Sequence, residues 1–393
     1  MARSRSSSAV GGTQVPRVAL ILAVLALLLV GLVMVYSASS VAALGEGGSA
    51  EGGLVSQLAY AVIGIVAVVV IWRIPYEVWV GRLVWAIWGV SLVLLILTAV
   101  MGSAGFGAQR WLELGPVRFQ PSEFVKIALV LVAIRIFFDM RAGVVEARMT
   151  AIQVLLFIVA PLFLLYETQS DLGTTLICIV GILAVMWLGG VKPYILGTVL
   201  VIGAIFMAFA VFGTGYRSGR MVYLDPWNDG EGGYGTGYNI IRSYYAFAEG
   251  GLFGVGLGNS HEKYEYLFAS DTDFIFAVIG EELGLVGALA VIALFLVVLV
   301  AGLRISGQCS DVMGSVMAGA FTVMLVFQAF LNIGCTIGVF PTTGKPLPFI
   351  SSGGSSMIAS LIMVGLILSV SKGDDPAVRR GNLRAVRMGP PVG

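Results

Sequence analysis

Long apolar stretches alternate with short polar ones along almost the whole chain. A bilayer core takes roughly 20 apolar residues per helix. Ten stretches qualify as candidates, near 18–43, 54–72, 84–101, 122–138, 152–166, 172–189, 194–213, 274–302, 313–337 and 354–371. The pattern predicts an all-α membrane protein, a polytopic bundle of ten transmembrane helices. Ten such stretches cannot be the core of a soluble protein, because 393 residues could not cover them all. The Gly-rich 44–53 and the short 190–193 read as turns. The largest polar segment, 214–273, falls between the seventh and eighth spans and reads as one large extracytoplasmic loop, a length usually kept for function. This divides the chain into a cytoplasmic tail 1–17, a membrane domain 18–371 and a second cytoplasmic tail 372–393.

Composition agrees with the pattern. Apolar residues make up 58%, charged residues 11%, and mean hydropathy is +0.96, whereas soluble domains carry about 25% charged residues. The net charge of +1 suggests no nucleic-acid partner. Cys178, Cys309 and Cys335 fit neither a disulfide framework nor a metal spacing. His261 is the single histidine, which nearly excludes catalysis by histidine pairs or a zinc cluster.

Charge placement orients the bundle. With the N-terminus inside, 14 Lys and Arg fall in inner segments and 7 in outer ones. That bias puts both termini in the cytoplasm. The first apolar run follows Arg3, Arg5 and Arg17, as a signal peptide would, but it is too long for a typical one and reads as a retained helix, with the small residues Ser37, Ala38 and Ser39 at its outer end leaving cleavage as the alternative. No internal repeat of the transporter kind is visible.

Four outer segments carry candidate chemistry. The first runs from Gln109-Arg110-Trp111 to Arg118-Phe119-Gln120-Pro121-Ser122-Glu123-Phe124-Val125-Lys126. Pro121 suits a first helical turn. Glu123 and Lys126, at i and i+3, share a face and can pair. Lys126 lies a turn into the membrane, where a charge is a functional hypothesis by default. A cap with a structural ion pair explains the same residues. The second is Glu167-Thr168-Gln169-Ser170-Asp171-Leu172-Gly173-Thr174, where Ser170 or Asp171 can cap a helix. The third is Asp271-Thr272-Asp273, at the mouth of the eighth span, with Glu281 and Glu282 inside it and costly unless paired. The fourth is Pro341-Thr342-Thr343-Gly344-Lys345-Pro346-Leu347-Pro348-Phe349-Ile350-Ser351-Ser352-Gly353-Gly354-Ser355-Ser356. Its prolines exclude a regular helix, and its Gly-Ser end suits backbone approach to an anion. Cations, carboxylates, serines and glycines on one side of an apolar bundle fit a ligand with an anionic head and a lipid tail.

In this order and spacing, GAQRWLELG, RFQPSEFVK, QSDLGT, DPWNDGEGGYGTGYNIIRS, GGLFGVGLGNS, TDFIFAVIGEELGLVG and PTTGKPLPFISSGGSS resemble the motifs of the SEDS family. That is the FtsW, RodA and SpoVE group of polytopic peptidoglycan polymerases, and the likeness spans about 15–372. The resemblance implies a glycosyltransferase that joins lipid II units into glycan strands on the outer face of the cytoplasmic membrane. It implies an essential Asp273 and roles for Trp111, Arg118, Glu123 and Lys126. DPWND, GVGLGNS-HEKYEYL and PFISSGGSS look more like the division branch, FtsW, than like RodA, with SpoVE hard to separate; that branch implies a septal location. Three positions depart from the family: Asp271 for a usual His, Ser170 for a Pro and Ser352 for a Tyr.

The expected mechanism makes Asp273 the general base. Arg118, Lys126 and Arg220 neutralise the leaving diphosphate, Trp111 packs sugar or lipid, and Asp171, Ser351 and Ser355 complete the binding site. A divalent cation, Mg²⁺ or Mn²⁺, is expected, with its ligands left open among Asp271, Asp273 and Glu281; no organic cofactor is expected. The expected partners are a class B penicillin-binding protein (an FtsI-type transpeptidase), other divisome proteins and membrane lipids. A lipid II flippase, or a scaffold that only recruits a partner, remains as the rival reading; a flippase calls for charges along a path through the bundle.

Overall fold

The computed structural model describes residues 14–45, 51–105, 108–114, 117–212, 219–264 and 266–373. Most of both predicted tails, and residues 214–218 of the predicted loop, lie outside these.

Helices account for nearly every apolar run. They are α1 (Gln14–Gly45), α2 (Gly52–Arg73), a short α3 (Tyr76–Val80), α4 (Val84–Met101), α5 (Ser122–Arg141), α6 (Ala147–Gln169, with a π-helical turn at Leu155–Val159), α7 (Leu172–Leu188) and α8 (Pro193–Phe212). Then come α9 (Tyr238–Gly250), α10 (Ile275–Glu282), α11 (Gly284–Gln308), α12 (Val312–Thr336) and α13 (Gly354–Gly373). Among the described residues seven helices are long and apolar enough to cross a membrane: α1, α2, α4, α6, α11, α12 and α13. The α5 helix carries Glu123, Lys126, Arg135 and Asp139, and α7 is only 17 residues long.

The bundle is layered by burial. Helices α12 and α13 form the centre, each with 83% of its apolar window buried, whereas α2 and α4 bury only 22%. The α12 helix packs on α7, α11 and α13, while α2 lies along α13 and α1 along α11. The peripheral helices turn Val62, Val66 and Val70, or Val93, Ile96 and Val100, outward. Such apolar outer faces need a hydrocarbon surrounding, since neither water nor another helix covers them.

Three features depart from the apolar pattern. Residues 103–119 hold a small antiparallel sheet, β1 (Ser103–Gly105), β2 (Ala108–Leu114) and β3 (Val117–Phe119), with β2 in the middle. It sets Glu113 opposite Arg118, where the two pair at 3.3 Å. The segment 214–273 is not one irregular loop, since it contains α9, whose apolar face includes the buried Ile240, Ile241 and Ala246. The eighth span is broken. Helix α10 ends at Glu282, and α11 restarts at Gly284, which has φ +69°. Only a glycine fits there, because a Cβ would collide with the Gly254 nitrogen. The broken ladder is repaired from outside. Val255 and Gly256 amides donate to the Glu281 and Glu282 carbonyls, and Leu285 and Val286 donate to Gly251 and Leu252. Interrupted helices survive at membrane depth only when other protein satisfies the freed groups.

The break also pairs the two acids. Glu282 Oε1 accepts from Lys263 Nζ at 2.9 Å and from Ser37 Oγ at 2.6 Å. Glu281 accepts from Ser260 Oγ at 2.6 Å and from the backbone of His261 and Glu262. Ser37 belongs to α1, so the first helix is built into this buried network.

A candidate active site where four segments converge

The four outer segments meet at one end of the bundle. Asp171 caps α7, accepting from the Thr174 amide at 2.9 Å and its hydroxyl at 2.8 Å. Its second oxygen also takes Lys345 Nζ at 2.6 Å, so capping and ion pairing coexist. Ser170 adopts φ +48°, which turns the chain sharply between α6 and α7. Arg110, on β2, donates to the carbonyls of Gln169 and Ser170 at 2.9 and 3.1 Å. These contacts tie the first, second and fourth segments together.

The third segment is clamped through its backbone. Asn332 Nδ2, from α12, donates to the Asp273 carbonyl and to the Lys345 carbonyl, both at 2.8 Å. Ser351 Oγ donates to the Thr272 carbonyl at 2.6 Å, and the Ser352 amide donates to the Asp271 carbonyl at 2.8 Å. No hydrogen bond from the described residues reaches the Asp273 carboxylate. Its Oδ2 lies 3.6 Å from where a Cβ on Gly344 would stand, and Gly344 itself has φ +65°.

Electrostatics single out the same residue. Burial pushes the Asp273 carboxyl up to about 6, although Lys345 and Arg110 pull it down; Asp271 and Asp171 add to the rise. Burial also raises Asp271. Burial opposes ionisation of Asp171 as well, but Lys345 and then Arg110 outweigh it and hold that carboxyl below the usual range. Neighbouring carboxylates are thus driven apart, one firmly ionised and one poised near neutrality, as acid–base sites require.

Several expected binding residues have other tasks. Lys126 is fully buried, with its ammonium 2.6 Å from both Glu123 Oε2 and Gln328 Oε1. Gln328 in turn donates to the Pro346 carbonyl at 3.1 Å. Lys126 and Glu123 therefore support the Lys345 segment from behind instead of facing a ligand. Ser355 is buried and accepts from the Gln120 amide at 2.9 Å, and Ser351 is buried in its clamp; both hold backbone and neither faces an anion. Arg118 is 74% exposed at the rim and Trp111 is half-buried. The Arg220 side chain lies outside the described residues. Glu281 is not gathered with Asp271 and Asp273, because its carboxylate is taken up by the 260–262 backbone and hydroxyl.

Two cations and an amide were missed: Lys345, Arg110 and Asn332. The first two stand inside segments already picked out by their polarity, and nothing local sets them apart. Lys345 meets Asp171 across 174 positions of sequence. Asn332 reads as one polar residue in an apolar helix, and that is a usable signal. Asp271 and Asp273 fit a hard cation, being two carboxylates two residues apart, and Mg²⁺ binds through one or two carboxylates plus substrate phosphates.

The family model for FtsW, RodA and SpoVE, described as "Cell cycle protein", matches residues 18–375. A probable peptidoglycan glycosyltransferase FtsW of Geobacter metallireducens is 38% identical over 355 residues, covering 90% of this chain and 93% of the relative. Stage V sporulation protein E of Bacillus subtilis is 36% identical, covering 91% and 97%. Among solved structures, a chain from "Structural coordination of polymerization and crosslinking by a peptidoglycan synthase complex" superposes with TM-score 0.70 at 28% identity, covering 91% and 98%. RodA of Thermus thermophilus superposes with TM-score 0.65 at 27% identity, covering 90% and 96%.

Proposed function

Because the chain belongs to the FtsW, RodA and SpoVE family of cell cycle proteins, we infer that it is a peptidoglycan glycosyltransferase that polymerises lipid II, with Asp273 as its general base. The observation that carries the assignment of the base is the Asp273 carboxylate itself. Its backbone is clamped, no hydrogen bond from the described residues reaches its carboxylate, and its pKa of about 6 suits proton transfer near neutrality. Asp273 takes the proton from the 4-hydroxyl of the acceptor sugar. That oxygen bonds to C1 of the growing chain while the C1–O bond to the diphosphate breaks, and the proton then passes to solvent. One displacement inverts the anomeric centre, turning an α-diphosphate into a β-linkage. Lys345 and Arg110 replace Lys126 as the cations nearest the base, and they favour charge developing on the leaving diphosphate. Arg118 meets the anionic head at the rim, and Trp111 packs sugar or lipid. A Mg²⁺ or Mn²⁺ ion would be held by Asp273 and Asp271, and when bound it neutralises phosphate charge.

The topology follows the charge pattern. Ten helices cross, with α5, α7 and α8 joining the seven apolar ones and α10–α11 forming the broken eighth span. Helix α5 tolerates its outer charges because Glu123 and Lys126 neutralise each other inside the bundle. Both termini lie in the cytoplasm, and the Asp273 end faces out. The enzyme works at the septum beside a class B penicillin-binding protein and other divisome proteins, a reading that the motif likeness to the division branch supports.

The test is polymerisation of labelled lipid II by purified protein with its cognate penicillin-binding protein. Strands are expected from the wild type, and a loss of about 10²–10⁴-fold in Asp273→Asn with partner binding intact. Strands made at wild-type rate by Asp273→Asn would refute the mechanism. Movement of lipid II across the bilayer without polymer would favour a flippase.

A further inference from the structure

A second cluster of ligand-bearing side chains lies away from Asp273. Glu249, in the last turn of α9, meets His261 and Glu262, and each offers one ligand atom within 4.8 Å of the other two. No other group of three His, Cys, Asp or Glu comes this close among the described residues. Surface acids often gather without a ligand, but two observations separate this group from such a patch. One donor is an imidazole, from the chain's single histidine. The other is Glu262, which is 1% exposed and whose Oε2 is buried without a hydrogen-bond partner. Its Oε1 has only a long contact, 3.5 Å to Arg242 Nη1. A buried carboxylate oxygen with no donor is costly, and a cation would satisfy it.

The site is also partly rigid. The His261 and Glu262 amides are pinned by Glu281, and Ser260 by its hydroxyl to the same carboxylate. Glu249 and His261 are exposed, and the His261 ring lies stacked on Tyr266 with centroids 4.9 Å apart, so Glu249 is the donor that must move most. Arg242 opposes a cation, but its guanidinium is shared among the Tyr238 and Tyr266 rings at 5.0 and 4.9 Å and the Glu262 carboxylate at 3.5 Å.

We propose that Glu249, His261 and Glu262 form a divalent cation site that staples the end of α9 to the segment leading into Asp273. The donor set selects the ion. Imidazole plus carboxylate suits Zn²⁺, at about 2.0–2.2 Å per ligand, with water in the fourth position. Mg²⁺ is disfavoured, since it takes oxygen ligands and keeps much of its water. Tetrahedral donors at that length lie about 3.3 Å apart, so from a spacing within 4.8 Å the side chains need close by up to about 1.5 Å. The site is separate from the Asp271–Asp273 pair and does not depend on the reading of the reaction.

The test uses full-length protein purified without a polyhistidine tag, stripped with EDTA, equilibrated with Zn²⁺ and desalted. Metal content is then read by mass spectrometry, alongside the Zn²⁺-dependent shift in the thermal midpoint. The wild type and Asp273→Asn are expected to retain one Zn²⁺ per chain and to melt higher with it. His261→Ala and Glu249→Gln should fall to background and lose the shift, while melting like the wild type without metal. Background content in the wild type would overturn the proposal. So would equal content in the two ligand variants, or loss of the ion in Asp273→Asn, which would place it at the other site.

Discussion

Replacing Lys345 by Gln tests the least legible part of the site. Lys345 and Asp171 are both nearly fully buried and 2.6 Å apart. Removing one partner of such a pair leaves an uncompensated buried charge, which typically costs about 3–5 kcal/mol. Here Asp171 keeps two hydrogen bonds from Thr174 and the nearby charge of Arg110, so the low end, about 3 kcal/mol, applies. The second effect is on the base. Lys345 is the largest charge holding the Asp273 carboxyl down, so its loss moves that carboxyl further above about 6. An opposite charge nearby is worth about one pKa unit or more. The ionised fraction of the base falls with it. The acid limb of the polymerisation pH–rate profile should shift upward by about one unit, losing roughly tenfold in rate on that limb, on top of a pH-independent loss from the missing cation at the leaving diphosphate. Lys345→Arg restores the charge and should restore the limb. Comparing profiles of the wild type, Lys345→Gln and Lys345→Arg, with thermal melts for folding, decides the matter. A folded Lys345→Gln protein whose acid limb stays put or moves down would refute the assigned coupling.

The remaining expectations concern the surroundings of the site. Lys126→Met should destabilise by about 3–5 kcal/mol through the orphaned Glu123, and Glu123→Leu with Lys126→Met should recover most of it, as thermal melts would record. Gly31→Ala puts a Cβ against the Phe349 carbonyl and 2.8 Å from Ile350 Cα; a cost of about 1–3 kcal/mol is expected, read as a lower unfolding midpoint. Asp271→His removes a carboxylate that raises the Asp273 carboxyl, so the acid limb should move down with activity kept; a limb that stays in place would show that Asp271 has no hold on the base.

The membrane class and nearly every helix were legible in the sequence, because a bilayer demands long apolar runs and tolerates few charges between them. Asp273 stood out in the sequence as an acid at a helix mouth inside a recognisable motif, and its role as base is what we propose. The Glu123–Lys126 pair followed from i, i+3 spacing, since neighbours on a helix are fixed by its pitch. Depth was not legible. Nothing local says that Lys126 is fully buried against Gln328 of α12, or that Ser351 and Ser355 are spent on backbone. The break at Gly284 was hidden for a similar reason: hydropathy runs straight through it, and the bonds that repair it come from residues 251–256. The sheet at 103–119 escaped because two of its three strands have only three residues, too few for a period to show. Sequence by itself determined which residues seek hydrocarbon and which polar segments share one end of the bundle, since both follow from local solvation. Only the tertiary structure decided which cation meets which carboxylate between segments distant in sequence. That choice rests on contacts such as Lys345 with Asp171, far apart along the chain and set by how α7, α12 and the 341–353 segment pack.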